Sequence, residues 1–119
     1  MHKLVKKPLI SVVMLNYNGL KYLKRTIPPI LKLGYPNYEF IIVDNGSTDG
    51  SIDFIKKNRG IILIENGENL GYSMGKNIGV KKARGKYVLL LDNDVLVEDR
   101  DILGKLVKFY NSKENPAFV

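Results

Sequence analysis

Short apolar runs alternate with amphipathic segments and polar turns along this chain. Residues 9–15 form an apolar run rich in β-branched side chains, the pattern of a strand covered on both faces of a parallel sheet. Asn16-Tyr17-Asn18-Gly19 punctuates it, and Leu20, Leu23, Ile27 and Ile30 then recur at helical spacing. Pro28-Pro29 falls inside that spacing and predicts a kinked or split helix. Residues 40–43 predict a second buried strand, stopped by the turn-forming run Asp44-Asn45-Gly46-Ser47-Thr48-Asp49-Gly50. Ile52 and Ile55 predict a short helix up to Asn58, residues 61–64 a third strand, and residues 65–71 a polar loop. Ser73 would cap a helix to about Ala83, with Met74 and Ile78 inward and Lys76, Lys81 and Lys82 at least partly outward. Residues 87–91 predict a fourth buried strand that runs straight into Asp92-Asn93-Asp94. From about Asp99 or Asp101 a last helix turns Ile102, Leu103, Leu106, Val107 and Tyr110 inward, and Pro116-Ala117-Phe118-Val119 reads as the start of something further. This order predicts an α/β fold, a doubly wound and mainly parallel sheet with right-handed crossovers.

Composition narrows the chemistry more than the fold. A chain of 119 residues fits one domain, and 45% apolar with 26% charged residues predicts a buried core. No window approaches the length of a membrane span and the N-terminus lacks a signal-peptide pattern, so the cytoplasm is the expected location. With no Cys and only His2, disulfides, thiolate metal sites and Cys nucleophiles are excluded, and a His-based triad or zinc site is implausible. Carboxylates, amides, lysines and backbone remain. The net charge of +7 is concentrated in a tail, Lys3, Lys6 and Lys7, and in the group Lys76, Lys81, Lys82, Arg84 and Lys86. Nucleic acid is one reading of such a surplus; a solvated helix face plus a lysine tail is the other.

In doubly wound sheets ligands bind outside the carboxyl ends of the strands, and three polar loops fall there: residues 16–19, 44–49 and 92–94. Asp92 and Asp94 can serve one site only if the chain bends after Leu91, since alternate residues of a strand point to opposite sides. One or two carboxylates, completed by water and phosphate oxygens, suit Mg²⁺ or Mn²⁺. An Asp-Asn turn leading to a helix is the alternative, and burial at the strand end argues against it, because an unpaired buried charge is costly. Gly71 and the helix start after it could present backbone N–H groups to a phosphate, with Lys76 as a point charge. Gly71, Gly75 and Gly79 could equally mark close helix packing. Asp44 could accept from a ring N–H of a base while Tyr17 stacks on it, or Asp44 could simply cap its loop.

Four blocks in order resemble family 2 glycosyltransferases of the GT-A fold, over about residues 9–110. They are Ser11-Val12-Val13-Met14-Leu15-Asn16-Tyr17-Asn18, Ile42-Val43-Asp44-Asn45-Gly46-Ser47-Thr48-Asp49-Gly50-Ser51, Asn69-Leu70-Gly71-Tyr72-Ser73-Met74-Gly75-Lys76-Asn77-Ile78-Gly79 and Leu90-Leu91-Asp92-Asn93-Asp94. The branch of rhamnosyltransferase-like enzymes of cell-surface polysaccharides is the nearest in pattern. The resemblance implies a Rossmann-like sheet of GT-A type and inverting transfer of a sugar from a nucleoside diphosphate sugar to a glycan or lipid-linked acceptor. It further implies a donor site of Leu15, Tyr17, Asp44, Lys76, Asn77, Asp92 and Asn93. Asp94, the second acid of the DXD motif, would hold Mg²⁺ or Mn²⁺ with Asp92, and the cation would neutralise the departing diphosphate. Leu15 stands where members often carry a smaller residue, and Pro28-Pro29 is unusual in the first helix.

Family members continue into an acceptor-binding half that supplies the general base, which is therefore expected beyond Val119; Asp99 and Asp101 sit where helix caps belong. The expectation is a basic tail over residues 1–8 and a donor-binding part over 9–119, truncated before the acceptor half and prone to self-association through an uncovered edge. The tail could touch an anionic membrane surface. A pyrophosphorylase would need a Gly-rich basic loop after the first strand, and a receiver domain paired acids there; Asn16-Tyr17-Asn18-Gly19-Leu20-Lys21 offers neither. With the excess charge placed near a pyrophosphate, nucleic acid is not the expected partner.

Overall fold

The computed structural model describes residues 7–111, so Lys3, Lys6 and the segment from Pro116 lie outside the described residues. Four strands, β1 (Ile10–Asn16), β2 (Tyr38–Asp44), β3 (Ile61–Glu65) and β4 (Tyr87–Asp92), form one parallel sheet in the order β3-β2-β1-β4. Four helices connect or follow them: α1 (Leu20–Leu31), α2 (Ser51–Lys57), α3 (Tyr72–Lys82) and α4 (Ile102–Asn111).

Alternation along β1 divides the core. Ile10, Val12 and Met14 join Phe40 and Ile42 beneath Leu23, Ile27 and Ile30 of α1, Ile55 of α2, and Leu103 and Val107 of α4. Val13, Ile41 and Val43 face the other way, toward Ile78 and Ala83 at α3. The chain steps outward from β1 to β3 with helices on the first face, then crosses to the far side of β1 through α3 on the second. Strand order therefore reverses between β1 and β4, the place where α/β sheets open a ligand crevice.

Several elements differ from their expected form. Pro28 and Pro29 lie inside α1 without splitting it. The carbonyls four residues back, deprived of their donors, belong to Lys24 and Arg25, which are exposed to water. Helix α3 starts two residues earlier than a Ser73 cap implies, at Tyr72, with Gly71 (φ 87°) as its N-cap. Met74 is 55% exposed rather than inward. The sheet-facing positions are Gly75 and Gly79: a Cβ on them would lie 2.5 Å from Leu15 Cδ1 and 2.5 Å from Val13 Cγ1. Close packing is thus the role of those two glycines. Finally, β4 is an edge strand whose Val88 and Leu90 are 39% and 43% exposed, not a strand covered on both faces.

Candidate functional site

The loop after β2 is held by its own acids. Asp44 is completely buried; its Oδ1 accepts from Asn16 Nδ2 (3.0 Å) and Ser47 Oγ (2.7 Å), its Oδ2 from the backbone N–H of Gly46 (3.1 Å) and Ser47 (2.8 Å). Asp49 accepts from the N–H of Leu20 (2.9 Å) and of Ser51 (3.0 Å), so one carboxylate serves the first turns of both α1 and α2. Burial alone would raise the Asp49 pKa, but the Ser51 hydroxyl and these N–H groups outweigh it and hold the carboxyl below its ordinary value. Asn18, at φ 49°, donates its N–H to Ser47 Oγ (2.8 Å) and accepts from Thr48 N–H (2.8 Å). Asn45 reaches the loop between β3 and α3 through Gly71 O (3.1 Å) and Asn66 Nδ2 (2.8 Å). Turn chemistry in this block is thereby accounted for by the scaffold.

The acids after β4 are different. A turn closed by Val95 N–H on Asp92 O (3.2 Å) bends the chain after Leu91, as a shared site requires. Asn93 points inward, donating to Asn16 Oδ1 (2.9 Å), and its carbonyl accepts from Thr26 Oγ1 (3.0 Å). Asp92 and Asp94 are exposed, contrary to the expected burial at the strand end, so the desolvation argument for their function does not apply.

Leu15, Tyr17, Tyr72, Asp92, Asn93 and Asp94 line one open cleft of about 370 Å³ at the β1/β4 reversal. Tyr72, which the spacing gave no reason to single out, donates its hydroxyl to Asp92 Oδ1 (3.2 Å), and Lys76 Nζ sits 4.0 Å from its ring centroid. Lys76 rests on the Tyr72 ring but is not itself among the residues lining the cleft. Asn77 is exposed on α3 and is not among the residues lining the cleft. Asp99 and Asp101 stand apart: Asp99 accepts from Asp101 N–H (2.9 Å) and pairs with Lys105 (2.6 Å), while Arg100 O accepts from Gly34 N–H (2.8 Å) near the C-terminal end of α1. Asn16 and Thr26, both buried, hold the acid turn; Asn16 stood only as part of the first polar loop, and Thr26 carried no local signal.

Does this donor set suit a hard cation? Among the described residues Asp94 makes no ion pair or side-chain hydrogen bond, and Asp92 Oδ2 accepts no hydrogen bond. No group of three or more His, Cys, Asp or Glu gathers among the described residues. Two open carboxylates on one cleft fit Mg²⁺ or Mn²⁺, whose shell takes one or two carboxylates plus water and phosphate oxygens.

A doubly wound sheet with an acidic, tyrosine-lined cleft at its reversal point defines an α/β domain whose crevice lies where such sheets take their ligands. The chain belongs to glycosyl transferase family 2, which it matches over residues 11–118. It is 39% identical over 106 residues to an uncharacterized glycosyltransferase of Haemophilus influenzae, covering 86% of this chain and 42% of that protein. Its fold is that of the GT-A enzymes among solved structures. A mannosyltransferase from Pyrobaculum calidifontis, solved with GDP-Man and Mn²⁺, superposes with a TM-score of 0.83 at 26% identity, over 93% of this chain and 34% of that one. TarS residues 1–349 of S. aureus, solved with UDP, superposes at 0.79 and 26%, over 87% and 32%. The chain thus spans less than half the length of these relatives.

Proposed function

We propose that this chain carries the donor-binding part of an inverting glycosyltransferase that moves a sugar from a nucleoside diphosphate sugar to a glycan or lipid-linked acceptor. The observation that carries this reading is the acid turn: both Asp92 and Asp94 open onto one cleft at the sheet reversal. The bound GDP-Man with Mn²⁺ and the bound UDP of the two structural relatives support it.

In this reading Tyr17, half exposed on the cleft, stacks on the base, with Leu15 beside it. Asp44 was expected to read the base; with both oxygens engaged by internal donors, it shapes the loop that borders the base. Lys76 leaves the Tyr72 ring to meet the diphosphate as a point charge, and the start of α3 offers N–H groups without a side-chain cap. Asn77 follows on the same helix and joins the donor only if the sugar extends over α3. Asp92 and Asp94 hold Mg²⁺ or Mn²⁺. When bound, the cation neutralises charge on the departing diphosphate. The group that deprotonates the acceptor hydroxyl is assigned outside residues 7–111.

Titration of UDP, GDP and dTDP with and without Mn²⁺, by calorimetry on wild type and Asp94→Ala, tests this. Binding of one nucleotide should strengthen at least tenfold with Mn²⁺ and lose that gain in Asp94→Ala. Indifference to both metal and Asp94 would sink the reading.

A further inference from the structure

We propose that Asn16 and Asn93 are a positioning pair that sets the acid turn in place before a cation arrives; the cation part of this inference rests on the donor reading above. Asn16 is fully buried at the carboxyl end of β1, next to Asp44. A buried carboxylate accepts and does not donate, so Asn16 must turn Nδ2 toward it, at 3.0 Å, and toward Ser47 Oγ, at 3.2 Å. That leaves Asn16 Oδ1 facing the opposite way, where Asn93 Nδ2 donates at 2.9 Å. Only one direction of donors is allowed along Asn93, Asn16 and Asp44. Residue 93 must therefore present an N–H on this side.

Thr26 Oγ1 fixes the main chain at the same residue through Asn93 O. Gly19 leaves room for this meeting: a Cβ there would collide with the Asn93 amide and lie 2.5 Å from Asn16 Oδ1. With residue 93 pinned inward by side chain and backbone, its neighbours Asp92 and Asp94 are left on the cleft. Among the described residues Asp94 makes no ion pair or side-chain hydrogen bond, so its place depends on the turn. Partners that orient a metal-binding group typically change metal affinity 10- to 100-fold when removed.

Asn93→Asp separates this from simple charge attraction. A third carboxylate beside the cleft should tighten a cation if charge decides. If positioning decides it should weaken the cation, because an acceptor then faces Asn16 Oδ1 and the pin is lost.

The experiment uses the full chain and reads two quantities: the Mn²⁺ midpoint at fixed nucleotide, and amide hydrogen exchange of residues 92–95 without metal. Asn93→Ala and Asn93→Asp should each raise the midpoint about tenfold or more and speed the metal-free exchange at Val95. Thr26→Val, which removes the hold on Asn93 O together with the hydroxyl's contact to Tyr22 O inside α1, should do the same to a smaller extent, and it decides the matter if Asn16→Ala or the Asn93 variants fail to fold. An Asn93→Asp midpoint at or below wild type, or unchanged exchange in Asn93→Ala, overturns the proposal. If wild type shows no Mn²⁺-dependent nucleotide binding, the donor reading fails with the cation part of this one, and the metal-free exchange alone tells whether the pair sets the turn.

Discussion

Glu39 shows how a single carboxylate can be spent on architecture. It lies at the amino end of β2, where Ser11 Oγ (2.6 Å) and the N–H of Arg84 (2.8 Å) donate to its Oε2, and Arg84 Nε approaches Oε1 at 3.4 Å. Ser11 Oγ in turn accepts from Gly85 N–H (2.8 Å), so the turn after α3 is anchored to β1 and β2 together. Burial by itself would raise the Glu39 pKa, but the Arg84 N–H, the Ser11 hydroxyl and the guanidinium outweigh it and hold the carboxyl below its ordinary 4.5. A group with a depressed folded-state pKa stabilises the fold above its unfolded value, and that contribution is lost as pH falls through the folded value. Glu39→Gln should cost roughly 1.5 to 3 kcal/mol at pH 7, the range for hydrogen bonds to a charged group. In urea unfolding followed from pH 7 down past the ordinary carboxylate range, the gap between wild type and variant should close toward acid. A gap constant with pH would show that the Glu39 charge does not stabilise the fold.

At the level of elements, α3 is where reading by periodicity runs out. Helical spacing puts Met74 and Ile78 on one face and suggests an ordinary apolar stripe. Gly75 and Gly79 instead let the helix backbone sit against Val13, Leu15 and Val43, and Met74 is turned out. Adding a methyl group should therefore act in opposite directions on two helices. At Gly79 it would lie 2.5 Å from Val13 Cγ1 and 2.9 Å from Val43 Cγ2, so Gly79→Ala should destabilise by about 1 to 3 kcal/mol through overpacking. Nothing stands within 4 Å of the same position at Gly104 in α4, and Gly104→Ala should stabilise by about 0.5 to 1 kcal/mol. Thermal midpoints of the two variants check this, and equal shifts of the same sign would refute the packing account. The strands of the sheet's interior were legible for the complementary reason: β1 and β2 are buried on both faces, which leaves an apolar run with little else it can be. Loop 44–49 and the acid turn were legible as a cluster because strand ends gather in a doubly wound fold. The Asn16 to Asn93 bond was not, since its partners are 77 positions apart and asparagine at a strand end is ordinary turn chemistry.

For the whole molecule, β4 is the informative misreading. Its apolar run is indistinguishable from that of β1, yet nothing in a run says which layers will cover it. Strand β4 pairs with β1 alone, its outer edge is open among the described residues, and Val88 and Leu90 stay exposed on one face. Along this strand an apolar groove of about 130 Å³ is bordered by Val88 and Leu90 together with Ile10, Tyr87, Leu106, Val107 and Tyr110. An open edge next to exposed apolar side chains is a template for pairing with another chain. Opposing this is the net charge of +7, which makes copies repel at low salt and is screened over roughly 10 Å at 0.1 M. The 119-residue chain should therefore self-associate in light scattering, more strongly at 0.5 M than at 0.05 M NaCl. Leu90→Lys, which places a charge on the exposed face without touching the cleft, should shift it toward monomer. A wild-type chain that stays monomeric at every salt concentration would mean that the open edge of β4 is protected by its twist or by residues outside 7–111, and that uncovered apolar surface does not govern this protein's assembly.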